Sequence, residues 1–452
     1  MKRFLSAQDA AEFIEQHAIV ARPAESQVPP AQRQEMRMED TRALFQALGN
    51  PQLNVPVAHV TGTSGKGSTS VFLAAILQAQ GLHVCLYTNP YIICPQERIQ
   101  IDGQYISDDL FMELAEKLAD VLVRFRAEHP AFIPHIKQIW TAMAFLAAEA
   151  VHADIFVAEV GMGGRFDETN VAQPQVCVIT TVGYDHMEFL GADLAQIAWH
   201  KAGIIKQGIP VVTGVKDPSA LAVIRKEAEL QAAQLLELDS DFSVSHICAI
   251  GGETTCTYTD PTARYEHLKM RLTGAFQARN AALAICAAKI AQPKLSEDAI
   301  RKGLLAAWLP GRFEIVQRNP YIILDAAHNP EKMSACLETL RSAIHPQKVI
   351  IIFGALGSKA ILQMLAECAA LDPLIIAAEP KATGRISAPA EQIVVAAAQL
   401  GLQHIKANNA EDAVRIALEN ASDDTAILIT GSLFLVSNIR EYVLQTVRSN
   451  AE

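Results

Sequence analysis

The chain has 452 residues, half of them hydrophobic, and a formal net charge of -11. That length exceeds one ordinary domain and predicts two, while the negative balance excludes a sequence-independent nucleic-acid binder, which needs clustered Lys and Arg to displace counterions. The 8 cysteines are scattered without a CxxC pair and read as reduced thiols; no run is long enough to cross a bilayer, and "MKRFLSAQDAAEFIEQHA" lacks the apolar core of a leader, so a cytoplasmic protein is expected.

The first informative stretch is "HVTGTSGKGSTS", His59 to Ser70. "VPVAHV" ahead of it reads as a buried strand, and "STSVFLAAILQAQG" after it has helical spacing and stops at Gly81. Gly62, Gly65 and Gly67 therefore lie in a strand-to-helix turn, where backbone N–H groups and the positive helix end converge on a phosphate. Thr63 and Ser64 complete the turn. Lys66 adds a mobile charge, and Ser68 and Thr69 add hydroxyls near a bound metal ion. The segment is shorter than the usual P-loop, and Gly67 stands directly after the lysine. Nucleotide binding is the leading expectation.

From Val57 to about Gly214, strand-like runs ("VAHV", "HVCLYT", "DIFVAEV", "VCVITTV", "IPVVTG") alternate with helical patterns. This predicts an α/β domain with a parallel, doubly wound sheet, whose ligands gather at the carboxyl ends of the strands. Glu159 closes one strand beside the glycine-rich "GMGGRFDETN". A carboxylate there suits Mg²⁺, although helix capping or an ion pair is the alternative. Asp185 and His186 follow the next strand in "GYDHMEFLG", and a neutral imidazole also ligates metal. Lys201 sits in the apolar helical stretch "QIAWHKAGIIKQG". Either it is buried and sheds its proton, or its head reaches solvent past an apolar stem.

Residues from about Asp239 to Leu272 turn to short β-like pieces, and "GAFQARNAALAICAAKIA" returns to helix. The Pro-Gly pair in "AAWLPGRFEIV" marks a junction near Pro310, giving domains 1–308 and 309–452. A second alternating series follows: "YIILDAAHNP", "KVIIIFGALG", "PLIIAAEP", "TAILITGSLFLV". This is a further α/β domain. At its strand ends Arg312 could bridge phosphates. Asp325 could accept bonds from ribose hydroxyls or cap the helix that begins at "HNP", and His328 lies beside it. Ser432 at a helix start suits a carboxylate.

In order along the chain, "HVTGTSGKGST", "TNPYIICPQERIQIDG", "AEVGMGGRFDETN", "VGYDHMEFLG", "HKAGIIK", "GAFQARNAA", "PGRFEIV", "LDAAHNP" and "TGSLFLV" resemble the folylpolyglutamate synthases and bifunctional dihydrofolate synthases of the Mur ligase superfamily. The resemblance implies a P-loop ATPase domain and a smaller C-terminal Rossmann-like domain. The implied enzyme is a monomer that uses ATP and Mg²⁺ to join L-glutamate to a folate through an acyl phosphate, without nucleic-acid or membrane partners. It further implies that Asn89, Glu159, His186 and a carbamylated Lys201 hold the metal. Asn280 would contact the adenine end, Arg312 the phosphates and Asp325 the ribose. Glu97 and Arg98 would lie near the pterin-binding loop, with His328 and Ser432 on the glutamate side. The chain departs from the family pattern at Ser64, at Asn89, where a serine is usual, at Gln138, and at Ser358 and Ala360. Another Mur-type amide ligase and a non-catalytic nucleotide-binding regulator are the alternative readings.

Overall fold

The computed structural model describes residues 3–16, 30–357, 359–382 and 385–449; Ser358 lies outside them. The chain divides into two compact units, one of Met1–Ser245, Cys256–Leu268 and Arg279–Ala307, the other of His246–Thr255, Lys269–Ala278 and Trp308–Glu452.

The first unit is built on eight strands: β1 (Val57–Thr61), β2 (Val84–Tyr87), β3 (Ile99–Ile101), β4 (Gln104–Tyr105), β5 (Ile155–Glu159), β6 (Pro174–Ile179), β7 (Val211–Thr213) and β8 (Leu235–Glu237). Their order is β4-β3-β2-β5-β1-β6-β7-β8. β2, β5, β1, β6, β7 and β8 run parallel, and β3 and β4 add an antiparallel edge. Every residue of β1 and β5 is buried, as expected for parallel strands covered on both faces. The chain leaves β1 for β2, on the β5 side, and leaves β5 for β6, on the far side of β1, so the crossovers diverge at β1. The crevice at such a switch point is where doubly wound sheets bind ligands.

One face is covered by helices Ala7–Glu15, Asp108–Glu128 and Ile136–Ala150, whose Phe111, Phe145 and Trp140 fill the core over Phe156 of β5. Helix Lys66–Ala79 buries Val71, Phe72, Leu73, Ile76 and Leu77 and crosses helix Glu297–Ala306 at very close range. At Gly303 a Cβ would stand 2.4 Å from the Ile76 Cα, so only hydrogen fits there.

The β-like region resolves into β9 (Ser243–Ile250), β10 (Glu253–Asp260) and β11 (Ala263–Met270), in the order β11-β10-β9. The second unit holds β12 (Glu314–Arg318), β13 (Tyr321–Leu324), β14 (Lys348–Phe353), β15 (Leu374–Ala377), β16 (His404–Lys406) and β17 (Thr425–Thr430), in the order β12-β13-β17-β14-β15-β16. All pairs are parallel except β12 with β13. Ile323, Ile351, Phe353, Ile375 and Leu428 of its strands pack against Met333, Leu337, Met364 and Ile393 of its helices. Among the described residues no helix is long and apolar enough to cross a membrane.

Gly303→Ala tests the helix crossing. The added methyl meets backbone, which cannot rotate away, so the variant should lose about 1–3 kcal/mol, read as a lower urea midpoint of the first unit.

Candidate active site

The glycine loop between β1 and helix Lys66–Ala79 owes its shape to what crowds it. Gly62 has φ +155° and Gly65 has φ +84°; a Cβ would fall 1.8 Å from Thr180 Oγ1 at the first and 2.3 Å from Asn280 Oδ1 at the second. The exit of β6 braces the loop throughout: Thr63 N donates to Thr181 O (2.9 Å), Ser64 N to Thr181 Oγ1 (2.9 Å), and Thr180 Oγ1 to Ser64 O (2.6 Å). Lys66 folds back over the turn and donates from Nζ to Gly62 O at 2.9 Å. Ser64 Oγ, Thr69 Oγ1 and Ser70 Oγ are buried without a protein hydrogen-bond partner. Such hydroxyls cost about 1–3 kcal/mol each, and phosphate oxygens or metal-bound water would satisfy those facing the loop. The residues present therefore fit a nucleotide and its Mg²⁺. Asn280, which the sequence assigned to the adenine end, stands against the loop itself.

Glu159 ends β5 almost fully buried, and its Oε2 accepts from Asn89 N at 3.0 Å. The Asn89 side-chain oxygen accepts from Arg98, whose guanidinium lies 4.7 Å from the Trp140 ring centroid and 5.3 Å from that of Tyr91. Glu97 is also buried and accepts from Ile92 N (3.0 Å) and Ile93 N (2.7 Å), which makes it the brace of the 88–98 loop. His186 is exposed, at φ +52°, ahead of helix Met187–Leu190, with Nε2 3.9 Å from Asp185 Oδ1. Lys201 is 2% exposed in the last turn of helix Leu194–Ala202, which removes the solvent-reaching alternative. Among the described residues no three His, Cys, Asp or Glu side chains form a metal cluster. A site here would have to recruit the lysine and Asn89.

Four buried groups, His59, Asp167, Glu168 and Thr169, carry no signal in the sequence. His59 Nε2 lies 2.8 Å from Thr169 Oγ1, and Thr169 donates onward to Asp167 Oδ1 at 2.6 Å. The hydroxyl spends its one hydrogen on the carboxylate, so it accepts from a neutral imidazole protonated at Nε2. Burial pushes the His59 pKa down to about 3, against the pull of Asp167. Glu168 is pushed up to about 7 by burial, with Lys137 opposing and Asp167 reinforcing. The consecutive acids of "FDETN" look like turn residues in the sequence. A lone histidine in an apolar strand gives no signal of its own.

In the second unit, Asp325 leaves β13 nearly buried. Its Oδ2 accepts from Phe313 N and its Oδ1 from Ala327 N, both at 2.8 Å. Burial raises its pKa and Arg312 opposes that rise. The helix that follows is capped by Asn329, which accepts from Lys332 N at 2.9 Å, so the capping alternative for Asp325 falls away. Arg312 is held in a turn anchored by Glu314, which accepts from Gly311 N (2.9 Å) and is gripped at both oxygens by Arg440. His328 Nδ1 donates to Ala326 O at 2.8 Å, leaving Nε2 to accept from Lys332 Nζ at 3.1 Å. Gly431 N donates to Ala327 O at 3.0 Å, which brings Ser432, the start of helix Leu433–Ser449, to the same strand ends as His328.

Residues 135–288 match the family model of the Mur ligase middle domain, and residues 311–433 that of the Mur ligase glutamate ligase domain. A dihydrofolate synthase/folylpolyglutamate synthase of Bacillus subtilis is 34% identical over 408 residues, covering 88% of this chain and 93% of that protein. A folylpolyglutamate synthase of Lacticaseibacillus casei is 36% identical, covering 89% and 93%. A folylpolyglutamate synthase solved with AMPPCP and folate superposes with a TM-score of 0.83 at 31% identity, over 97% of this chain and 100% of that one.

Glu168 gives a pH prediction. Its folded pKa of about 7 lies above the ordinary 4.5, so the folded state binds more protons than the unfolded chain between those values, and stability falls as pH rises through that window. Glu168→Gln removes the dependence. Its melting midpoint should exceed that of the parent protein at about pH 8 and match it at about pH 4.

Proposed function

The chain belongs to the folylpolyglutamate and dihydrofolate synthases of the Mur ligase family, and from that membership we infer how its residues join L-glutamate to a folate with ATP. A carboxylate is a poor electrophile at neutral pH. One folate carboxylate oxygen therefore attacks the γ-phosphorus, ADP leaves, and an acyl phosphate forms. The glutamate amine then adds to the acyl carbon, phosphate departs, and the amine loses its proton as the amide appears.

The observation that carries this reading is the phosphate loop, braced by Thr180 and Thr181 at the carboxyl end of β1, next to the buried Glu159 at the end of β5. The helix start and the Lys66 ammonium are the proposed partners of the β- and γ-phosphates, on a loop whose backbone is already braced, so little reorganisation is needed as charge shifts. Glu159, His186, Lys201 and Asn89 are the proposed holders of Mg²⁺, which when bound neutralises phosphate charge. Lys201, buried at the end of its helix, would serve as a carbamate, formed when its neutral amine adds CO₂ and releases a proton. Arg312 and Asp325 are the proposed contacts to the phosphates and the ribose, and Asn280, expected from the sequence at the adenine end, stands instead against Gly65 of the loop. Glu97 and Arg98 shape the folate loop, the first by holding its backbone and the second by holding Asn89. His328 and Ser432 take the glutamate side, where the Ser432 helix start suits a carboxylate.

Residues 1–308 act in this scheme as the ATP-binding domain and 309–452 as the glutamate ligase domain. The protein works as a cytoplasmic monomer without a nucleic-acid partner: all eight cysteines are free thiols, and a net charge of -11 repels polyanions.

Purified protein with ATP, Mg²⁺ and glutamate, given dihydropteroate or tetrahydrofolate, should yield a product heavier by one glutamyl residue; absence of that product with both acceptors overturns the reading. Lys66→Ala should cut phosphate release by roughly 10²–10³-fold while keeping the circular-dichroism spectrum and melting midpoint.

A further inference from the structure

The proposed metal side draws on residues from separate elements, Glu159 at the end of a strand and Lys201 at the end of a helix, and something must fix the helix against the turn that follows the strand. The glycine turn 161–165 lies flat on the last turn of helix Leu194–Ala202. A Cβ at Gly164 would stand 3.0 Å from both His200 O and Lys201 O, and one at Gly203 would stand 2.2 Å from Arg165 Cβ. Arg165 N donates to His200 O at 2.6 Å. The same turn reaches the phosphate-loop strand, because Thr61 Oγ1 donates to Gly163 O at 2.6 Å.

Asn170 closes this joint. Its Nδ2 donates to Arg165 O (3.0 Å), on the turn, and to Gly203 O (3.1 Å), just past the helix end. Its Oδ1 accepts from Lys206 Nζ at 2.8 Å, which sets the orientation of the amide: with the oxygen toward the ammonium, both N–H groups must face the carbonyls. Lys206 also places its positive charge by the helix C-terminus, where the dipole favours it. We propose that Asn170, oriented by Lys206, is a positioning residue that locks the Lys201 helix onto the turn between Glu159 and the phosphate-loop strand. The proposal rests on the reading of Lys201 as a metal-side group. Neither Asn170 nor Lys206 touches substrate in this scheme.

Asn170→Asp is the sharpest test, since it is isosteric and keeps a partner for Lys206, yet turns both donors into lone pairs facing carbonyls. Expected are a drop in kcat and in Mn²⁺ affinity, the latter read by electron paramagnetic resonance without turnover, each by roughly 10–100-fold. KM for ATP should stay near that of the parent protein, and the melting midpoint should stay above the assay temperature, so that folded protein is compared with folded protein. Lys206→Met should reproduce the defect and Lys206→Arg should largely relieve it, which keeps the test intact if Asn170→Asp fails to fold. Parent-like kcat and Mn²⁺ affinity in Asn170→Asp or Lys206→Met would overturn the proposal. So would losses that track a lowered melting midpoint, or that Lys206→Arg shares in full. If the parent protein forms no glutamyl product, the functional reading itself fails, and that outcome is seen before any variant is made.

Discussion

A side chain at residue 62 would overlap the hydroxyl of Thr180, and one at residue 65 would overlap the amide of Asn280. This steric bareness is the constraint on which the first unit's site depends. Because no Cβ intervenes, the threonines at the end of β6 can bond directly to the loop backbone, and the loop keeps its concave form before any ligand arrives. Preorganisation of that kind is what makes electrostatic stabilisation effective: donors already aimed at developing charge spend no free energy turning toward it. The hydroxyls of Ser64 and Thr69 are buried in this segment without a protein hydrogen-bond partner.

In both units, buried carboxylates are held in place by geometry. Glu159 takes the Asn89 N–H, Asp325 takes two backbone N–H groups, and Glu314 is gripped by Arg440. Each is a carboxylate tied to backbone or to a cation, the arrangement that offsets the penalty of leaving water. In the second unit these ties do more than stabilise. Asp325 and Glu314 seize the chain on both sides of Arg312, so the guanidinium leaves a turn with little freedom. In the first, Arg98 lies against the rings of Tyr91 and Trp140 and holds Asn89, whose backbone N–H donates to Glu159. The 88–98 loop and the Glu159 carboxylate are thereby linked through one asparagine.

That asparagine stands where the family commonly has serine. Its longer side chain reaches Arg98, so its oxygen already has a donor, and any share it takes in metal binding must use the remaining lone pair. Glu97 shows the same economy of function: a residue in a segment expected to meet substrate is turned inward to hold the backbone of its own loop.

The alternating strands and helices, the glycine turn after β1, the carboxylate at the end of β5 and the second series after Pro310 were all legible in the sequence. Period, glycine placement and strand-end position are local properties, written within about ten residues of one another. What the chain could not announce is which polar groups meet. Lys201 looks the same whether its head is buried or solvated, and Asn280 lies far along the chain from the Gly65 it touches. His59, Thr169 and Asp167 form a proton-ordered chain across a separation that no periodicity encodes. Likewise, whether Asp325 caps a helix or bridges two loops turned on the approach of Phe313, and the role of Asn170 on two carbonyls and one ammonium brought together by the packed turn. Local pattern sets the elements; long-range packing, through burial and the geometry of hydrogen bonds, decides what each side chain can do.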